Sequence, residues 1–223
     1  IEEYIVPGVS TEKINQLCHY YILEHNAIPS CLDYKGFPKS ICTSVNQCVC
    51  HGIPDESVLK TGDIINVDVT VFLNEFHGDT SRTYTVGKTS RAARDLISAA
   101  KESMWEGIRR VKAGAHFGDI GYAVQSFVEA KGYSVVREYG GHGIGRKFHE
   151  DPHVVHYGRE GTGPRLEKGM VFTIEPMINA GAADIILLDD GWTVETRDQK
   201  LSAQFEHTVA VTEGGVDILT LPQ

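Results

Sequence analysis

Apolar and polar positions alternate with clear periods along the 223-residue chain. After Ser10, the residues Ile14, Leu17, Cys18, Tyr21, Ile22 and His25 recur at three- and four-residue steps. That spacing predicts an amphipathic helix over 11–25 with Ser10 as its N-cap. Residues 91–111 and 119–131 carry the same period, and Gly132 closes the second. Residues 63–87 alternate at every second position instead. Ile65, Val67, Val69 and Val71 face one way, and Asn66, Asp68 and Thr70 face the other. A turn at "NEFHGD" leads into a second such run, which predicts a hairpin. "YSVVREY", "MVFTIEPMI", "DGWTVETRD" and "QFEHTVAVTEGG" read as further strands. The stretch 140–165, rich in Gly and His, reads as a loop, and its "REGTGPR" portion is a loop rather than a linker between domains.

Glu175 does not fit its own strand. It stands among Met170, Val171, Phe172, Ile174, Met177 and Ile178, just before Pro176. A buried carboxylate is costly unless it is paired or ligates a metal. The rest of the sequence offers it company. Gly62 precedes Asp68 by six residues, and Gly169 precedes Glu175 by six, with apolar residues in register. Asp79 runs eight residues to Gly87, and Glu206 runs eight to Gly214. Each half therefore carries an acid mid-strand and a second acid opening the partner strand. The spacing is longer in the second half, which implies an insertion around "DIILLDDGW". Two related halves with converging acids follow.

Composition narrows the classes. Hydrophobic residues are 41% and charged residues 23%, as in a folded, water-soluble protein. The net charge of −9 and the lack of a basic stripe argue against nucleic acid or an anionic membrane surface as a partner. No apolar run reaches the ~20 residues a membrane helix needs. Cys18, Cys31, Cys42, Cys48 and Cys50 are odd in number and lack zinc-knuckle spacing. They read as buried, reduced thiols, which suits the cytoplasm. The chain starts "IEEYIVPGVS", without Met or a helix start, so an upstream segment is expected.

Four carboxylates on one surface repel unless cations lie between them. Two divalent ions would balance Asp68, Asp79, Glu175 and Glu206. Oxygen donors with one imidazole suit Mn, Fe, Co or Zn in an open catalytic site. His142, in "GGHGIG", is the natural nitrogen donor. Taken singly, each of these acids reads as a solvated strand face, and His51, His142, His149, His153 and His156 read as structural; the repetition is what favours metal. Such a pair of ions serves aminopeptidases, phosphatases and nucleases alike. The scarcity of Arg and Lys near the motifs disfavours phosphate substrates.

The motifs "CHGIPD", "INVDVT", "FHGDTSRT", "GGHGIG", "FHEDPHVVHY", "FTIEPM", "DGWTVETRD" and "SAQFEHTVAVT" together resemble the methionine aminopeptidases of type I, over nearly the whole chain. The resemblance implies an α+β pita-bread fold: two pseudo-symmetric halves around a curved antiparallel sheet with flanking helices, as a single catalytic domain over 1–223. It implies a cytoplasmic, monomeric enzyme that removes the N-terminal methionine of nascent chains with a small second residue, with the ribosome as a further partner. By resemblance Asp68, Asp79, His142, Glu175 and Glu206 ligate two divalent ions, and a hydroxide between them attacks the scissile carbonyl. Glu175 moves the proton, His149 steadies the oxyanion or scissile amide, and His51 lies near the scissile nitrogen. Cys31, Tyr34, Phe37, Cys42, Phe148 and Trp192 would form the methionine pocket. A monovalent cation is implied near Asn46 and Ser202. Three departures stand out: Lys35 where relatives often carry His, Phe37 where Tyr is common, and no helix ahead of "EEYIVPGVS". An X-Pro peptidase and a metal-free peptide-binding module are the competing expectations.

Overall fold

The computed structural model describes residues 1–221. In chain order its helices are α1 (Thr11–Glu24), α2 (Arg91–Ile108) and α3 (Phe117–Glu129). The strands of the first half are β1 (Ile28–Pro29), β2 (Cys42–Val45), β3 (Cys48–Cys50), β4 (Ile64–Leu73) and β5 (Phe76–Thr85). Those of the second are β6 (Ser134–Val135), β7 (Gly141–Gly143), β8 (Glu150–Val154), β9 (Val171–Ile174) and β10 (Met177–Asn179). They continue with β11 (Ile185–Leu187), β12 (Val194–Thr196), β13 (Ser202–Val211) and β14 (Val216–Ile218).

The helices form where the period said they would. Ser10 accepts from the Lys13 N–H and starts α1, and Gly132, at φ +80°, follows α3. The hairpin is real and tight. Asn74 and Glu75, both at positive φ, make the two-residue connection whose twist matches that of the strands. Two expectations need correction. The stretch 140–165 is not all loop, because it contains β7 and β8, paired antiparallel. The run 170–178 is not one strand. It breaks at Glu175–Pro176 into β9 and β10, since proline has no N–H to give the ladder. "YSVVREY" contributes only the two residues of β6.

The central sheet runs β1-β4-β5-β13-β9-β7-β8. β5 and β13 meet at its middle, with Glu206 opposite Ser81 and His207 opposite Thr80. Exchanging Asp79 with Glu206 and Ser81 with Thr208 maps this pairing onto itself. The Thr208 hydroxyl does accept from the Asp79 N–H and donate to the Asp79 carbonyl. A local twofold therefore passes between Thr80 and His207, and β4 and β9 flank it on either side. The insertion expected near "DIILLDDGW" is β11 and β12, which join β3 in a separate three-stranded sheet.

Strand parity then decides which face does what. Ile65 and Val67 pack with Ile14 and Cys18 of α1. Phe172, Ile174, Phe205 and Val209 pack with Leu96, Met104, Ile120 and Val124 of α2 and α3. Truncating a side chain as fully enclosed as Leu96 to Ala costs about 2–5 kcal/mol. The opposite face carries Asn66, Thr70, Asp79, Ser81, Thr173, Glu175, Gln204, Glu206 and Thr208, and these are buried as well. The polar face of the hairpin is therefore not solvated. It is an enclosed polar layer, and its acids need partners.

Candidate active site

Asp68 and Asp79 come from β4 and β5, where Asp68 lies opposite Ser81 and Asp79 opposite Thr70. Glu206 comes from β13. Glu175 follows the end of β9, and the register through Ile174↔His207 and Met177↔Gln204 sets it across from Glu206. His142 comes from β7, whose neighbour is β9. Gly141 and Gly143 allow that approach. A Cβ on Gly141 would lie 2.2 Å from the Thr173 carbonyl oxygen, and one on Gly143 2.2 Å from that of Asp151. The imidazole Nε2 stands 3.6 Å from Asp79 Oδ2 and 3.7 Å from Glu175 Oε1. Both are long for hydrogen bonds, so the ring sits between two acids without closing on either.

Several acids are fixed by neutral donors. Thr70 Oγ1 donates to Asp79 Oδ1 at 2.6 Å. Thr173 Oγ1 donates to Glu175 Oε1 at 2.7 Å, and Gln204 Nε2 to Glu175 Oε2 at 3.2 Å. Asp68 Oδ1 and Glu206 Oε1 are sealed from solvent and have no hydrogen-bond partner among the described residues. No arginine or lysine lies within ion-pair distance of these acids among the described residues.

The electrostatics follow. Burial first, and the charge of Asp79 next, push Asp68 and Glu206 well above the ordinary carboxylate range. Burial lifts Glu175 to about 7. Burial would lower His142, but Asp79 and Glu175 outweigh it and raise the ring to about 9. Without added cations the cluster holds protons in place of missing positive charge. Oxygen atoms of Asp79 and Glu206 and a ring nitrogen of His142 fall within 4.8 Å of one another, close enough to share an ion. Orphaned buried oxygens, an oxygen-rich donor set and one imidazole fit divalent cations.

Asp68, Asp79, His142, Glu175 and Glu206 line one cavity of about 320 Å³. Its apolar end is made by buried Cys31, Phe37 and Cys42, with Phe148 and Trp192 packed on them. Trp192 meets Phe37 edge-on at 5.2 Å. Tyr34 packs on both Phe148, at 4.8 Å, and His149, at 5.2 Å, and those two rings lie 4.3 Å from each other. His149 in turn lies 4.0 Å from the His142 ring. Desolvation, then the charges of His142 and Lys35, hold His149 below the usual imidazole value. His51, at φ +55°, meets Tyr139 and Trp192 edge-on, and burial lowers it too. Every residue named from the sequence for this site lines the cavity. Glu138, Tyr139 and Met177 line it also and were not assigned to it from the sequence, and His153, which read as structural there, is a lining residue too. Met177 was legible, because it follows Glu175 by two and so shares its face.

The model of metallopeptidase family M24 matches residues 1–213. A methionine aminopeptidase from Rickettsia prowazekii is 57% identical over 99% of this chain and 86% of its own length. One from Escherichia coli (strain K12) is 53% identical over 99% of this chain and 84% of its own length. The crystal structure of the Rickettsia prowazekii methionine aminopeptidase superposes with a TM-score of 0.98, covering 99% of this chain and 90% of that one at 57% identity. The two-halved pita-bread architecture is therefore shared.

Proposed function

The chain belongs to metallopeptidase family M24, and from that premise we propose that it removes the N-terminal methionine from peptide chains by hydrolysis. One observation carries the reading: acids with buried oxygens that lack a partner among the described residues line, with His142, the same cavity as an apolar pocket of thiols and rings. That pocket suits a flexible thioether.

Asp68, Asp79, His142, Glu175 and Glu206 would hold two divalent ions of Mn, Fe, Co or Zn type, with Asp79 and Glu206 placed on the twofold strands to serve both. Ions bound there supply Lewis-acid polarisation of the scissile carbonyl and a water that is nucleophilic near neutral pH. The chain's own groups do the rest. Cys31, Tyr34, Phe37, Cys42, Phe148 and Trp192 take the methionine side chain and so position the first carbonyl over the acids. Thr173 and Gln204 fix the two oxygens of Glu175, which accepts a proton from the attacking water and returns it to the leaving nitrogen. His149, at the mouth, donates to the developing oxyanion or steadies the scissile amide. His51 lies near the scissile nitrogen and assists its departure. A narrow exit beside the pocket would account for a demand for a small second residue.

Because both halves supply ligands, residues 1–223 act as one catalytic unit. The substrates are nascent chain ends, which places the enzyme in the cytoplasm, working as a monomer beside the ribosome. A monovalent cation near Asn46 and Ser202 is part of the same reading. The Asn46 carbonyl accepts from the Ser202 N–H and keeps a second lone pair for an ion.

Glu175→Gln tests the central role. Turnover of a Met-Gly-Met peptide, with metal supplied, is expected to fall about 10²–10⁴-fold; unchanged turnover would remove Glu175 from proton transfer. A preference for proline in second place behind any first residue would favour an X-Pro peptidase instead.

A further inference from the structure

Lys35 is the one lysine or arginine among the described residues that line the cavity. The acidic groups there are Asp68, Asp79, Glu175 and Glu206 in the depths, and Glu138, exposed at the mouth. Lys35 is exposed too. Its ammonium makes no ion pair with a carboxylate among the described residues, whereas nearby Lys39 is taken by Glu12. The Lys35 Nζ lies 5.3 Å from the Tyr34 ring centroid. That ring stacks on His149 at 5.2 Å and 15°. The free cation thus stands one ring beyond the histidine assigned to the scissile amide.

The backbone holds it there. Asp33, Lys35 and Gly36 have φ values of 63°, 49° and 88°. Glycine adopts this region freely, but a side chain there costs roughly 1–2 kcal/mol. A lysine kept in such a turn, over a cavity mouth, is an outlier that invites a functional reading.

On that assignment, a peptide with its first residue in the pocket and its first amide beside His149 would run on toward Tyr34, the ring stacked on that histidine. We propose that Lys35 is a specificity determinant that favours substrates presenting a carboxylate at the third position. The carboxylate can be an Asp or Glu side chain, or the free terminus of a tripeptide. This rests on the methionine-removing reading above.

The test is a ratio of kcat/KM measured within each variant. Met-Gly-Glu-Ala-amide is compared with Met-Gly-Lys-Ala-amide at low salt, for the unsubstituted enzyme, Lys35→Met and Lys35→Glu. An exposed pair is worth about 0.2–1 kcal/mol, so the unsubstituted enzyme should prefer the glutamate peptide by about threefold. Lys35→Met should bring the ratio near one, and Lys35→Glu should invert it. A second arm compares Met-Gly-Ser as free acid and as amide, which separates the terminal source of the carboxylate from the side-chain source. A general loss of activity cancels in the ratio. Should the variants fail to fold, the salt dependence of the unsubstituted enzyme decides: the preference should fade at 0.5 M salt, where screening reaches only ~4 Å. A ratio of one in the unsubstituted enzyme, a ratio unmoved in Lys35→Met, or a preference indifferent to salt overturns the proposal. Failure to cleave neutral Met-Gly-Gln-Ala-amide at all would sink the underlying reading instead.

Discussion

The two halves of the sheet solve one problem with different parts. In the first, β4 and β5 are consecutive strands joined by Asn74 and Glu75, and Asp79 faces Thr70. In the second, β9 and β13 are far apart in sequence, Pro176 interrupts the run after Glu175, and β11 and β12 are inserted between. The register also differs, since Glu175 lies across from Glu206, whereas Asp68 and Asp79 are staggered. Even so, each half delivers two acids to the same face, and each fixes one of them with a threonine hydroxyl. The symmetric part handles charge. The asymmetric parts build the apolar pocket that the proposed function assigns to recognition: Cys31, Phe37 and Cys42 precede the first hairpin, and Trp192 rides on the second half's insertion.

The strongest challenge to this equivalence is to remove the twofold partners one at a time. Asp79→Asn and Glu206→Gln should each lower kcat/KM by about 10²–10⁴-fold, and each should lower the number of divalent ions retained, measured by elemental analysis after reconstitution. One variant dead and the other within tenfold of the parent would show that the halves do not share the load. A subtler probe removes the threonine hydroxyls. A hydrogen bond to a charged group is worth about 1.5–3 kcal/mol, so Thr70→Val and Thr173→Val should each cost tenfold or more in kcat. The larger loss should fall on Thr173→Val, because Thr173 Oγ1 also accepts from the His142 N–H. Equal losses would mean that His142 is held by the glycine-lined β7 alone.

The smallest effect separates the helix starts of the two halves. Ser10 caps α1 from a half-buried position. Asp119 receives the His116 N–H at the start of α3 and also the Gly161 N–H, tying in the loop after β8. Replacing either by Ala should cost about 1 kcal/mol in unfolding free energy, with Asp119 the costlier. Only Asp119 should show pH dependence. Burial would raise it, but the two backbone N–H groups prevail and hold it below the usual carboxylate value. Its contribution is therefore present above the unfolded value near 3.9 and is lost as pH falls through the lower folded value. Denaturation at pH 7 and at pH 3 should show the gap between parent and Asp119→Ala narrowing, and the Ser10→Ala gap unchanged.

What the sequence disclosed was periodic or repeated. α1, the hairpin and the four acids rested on spacing alone, and all lie where that spacing put them. The strands β7 and β8 were hidden for a physical reason. Gly141 and Gly143 read as loop formers, yet they are there because the carbonyls of Thr173 and Asp151 leave no room for a Cβ, and no local pattern reports such contacts with neighbouring strands. The break at Glu175–Pro176 had a visible signal in the proline. Tyr139 and Glu138 had none, since their place at the cavity depends on how β6 meets β10. The register difference between the halves was equally silent, because six-residue spacings match whether or not two strands have slid.

The size of the cavity sets a limit on what this enzyme can damage. About 320 Å³ lies at the small end of ligand sites, and its far wall is buried thiol and ring. A chain can send its tip there, but a loop, which must enter and leave, cannot. Folded neighbours are spared by geometry, so a hydrolase of this shape can remain permanently switched on in a crowded compartment without a propeptide or an inhibitor to guard it.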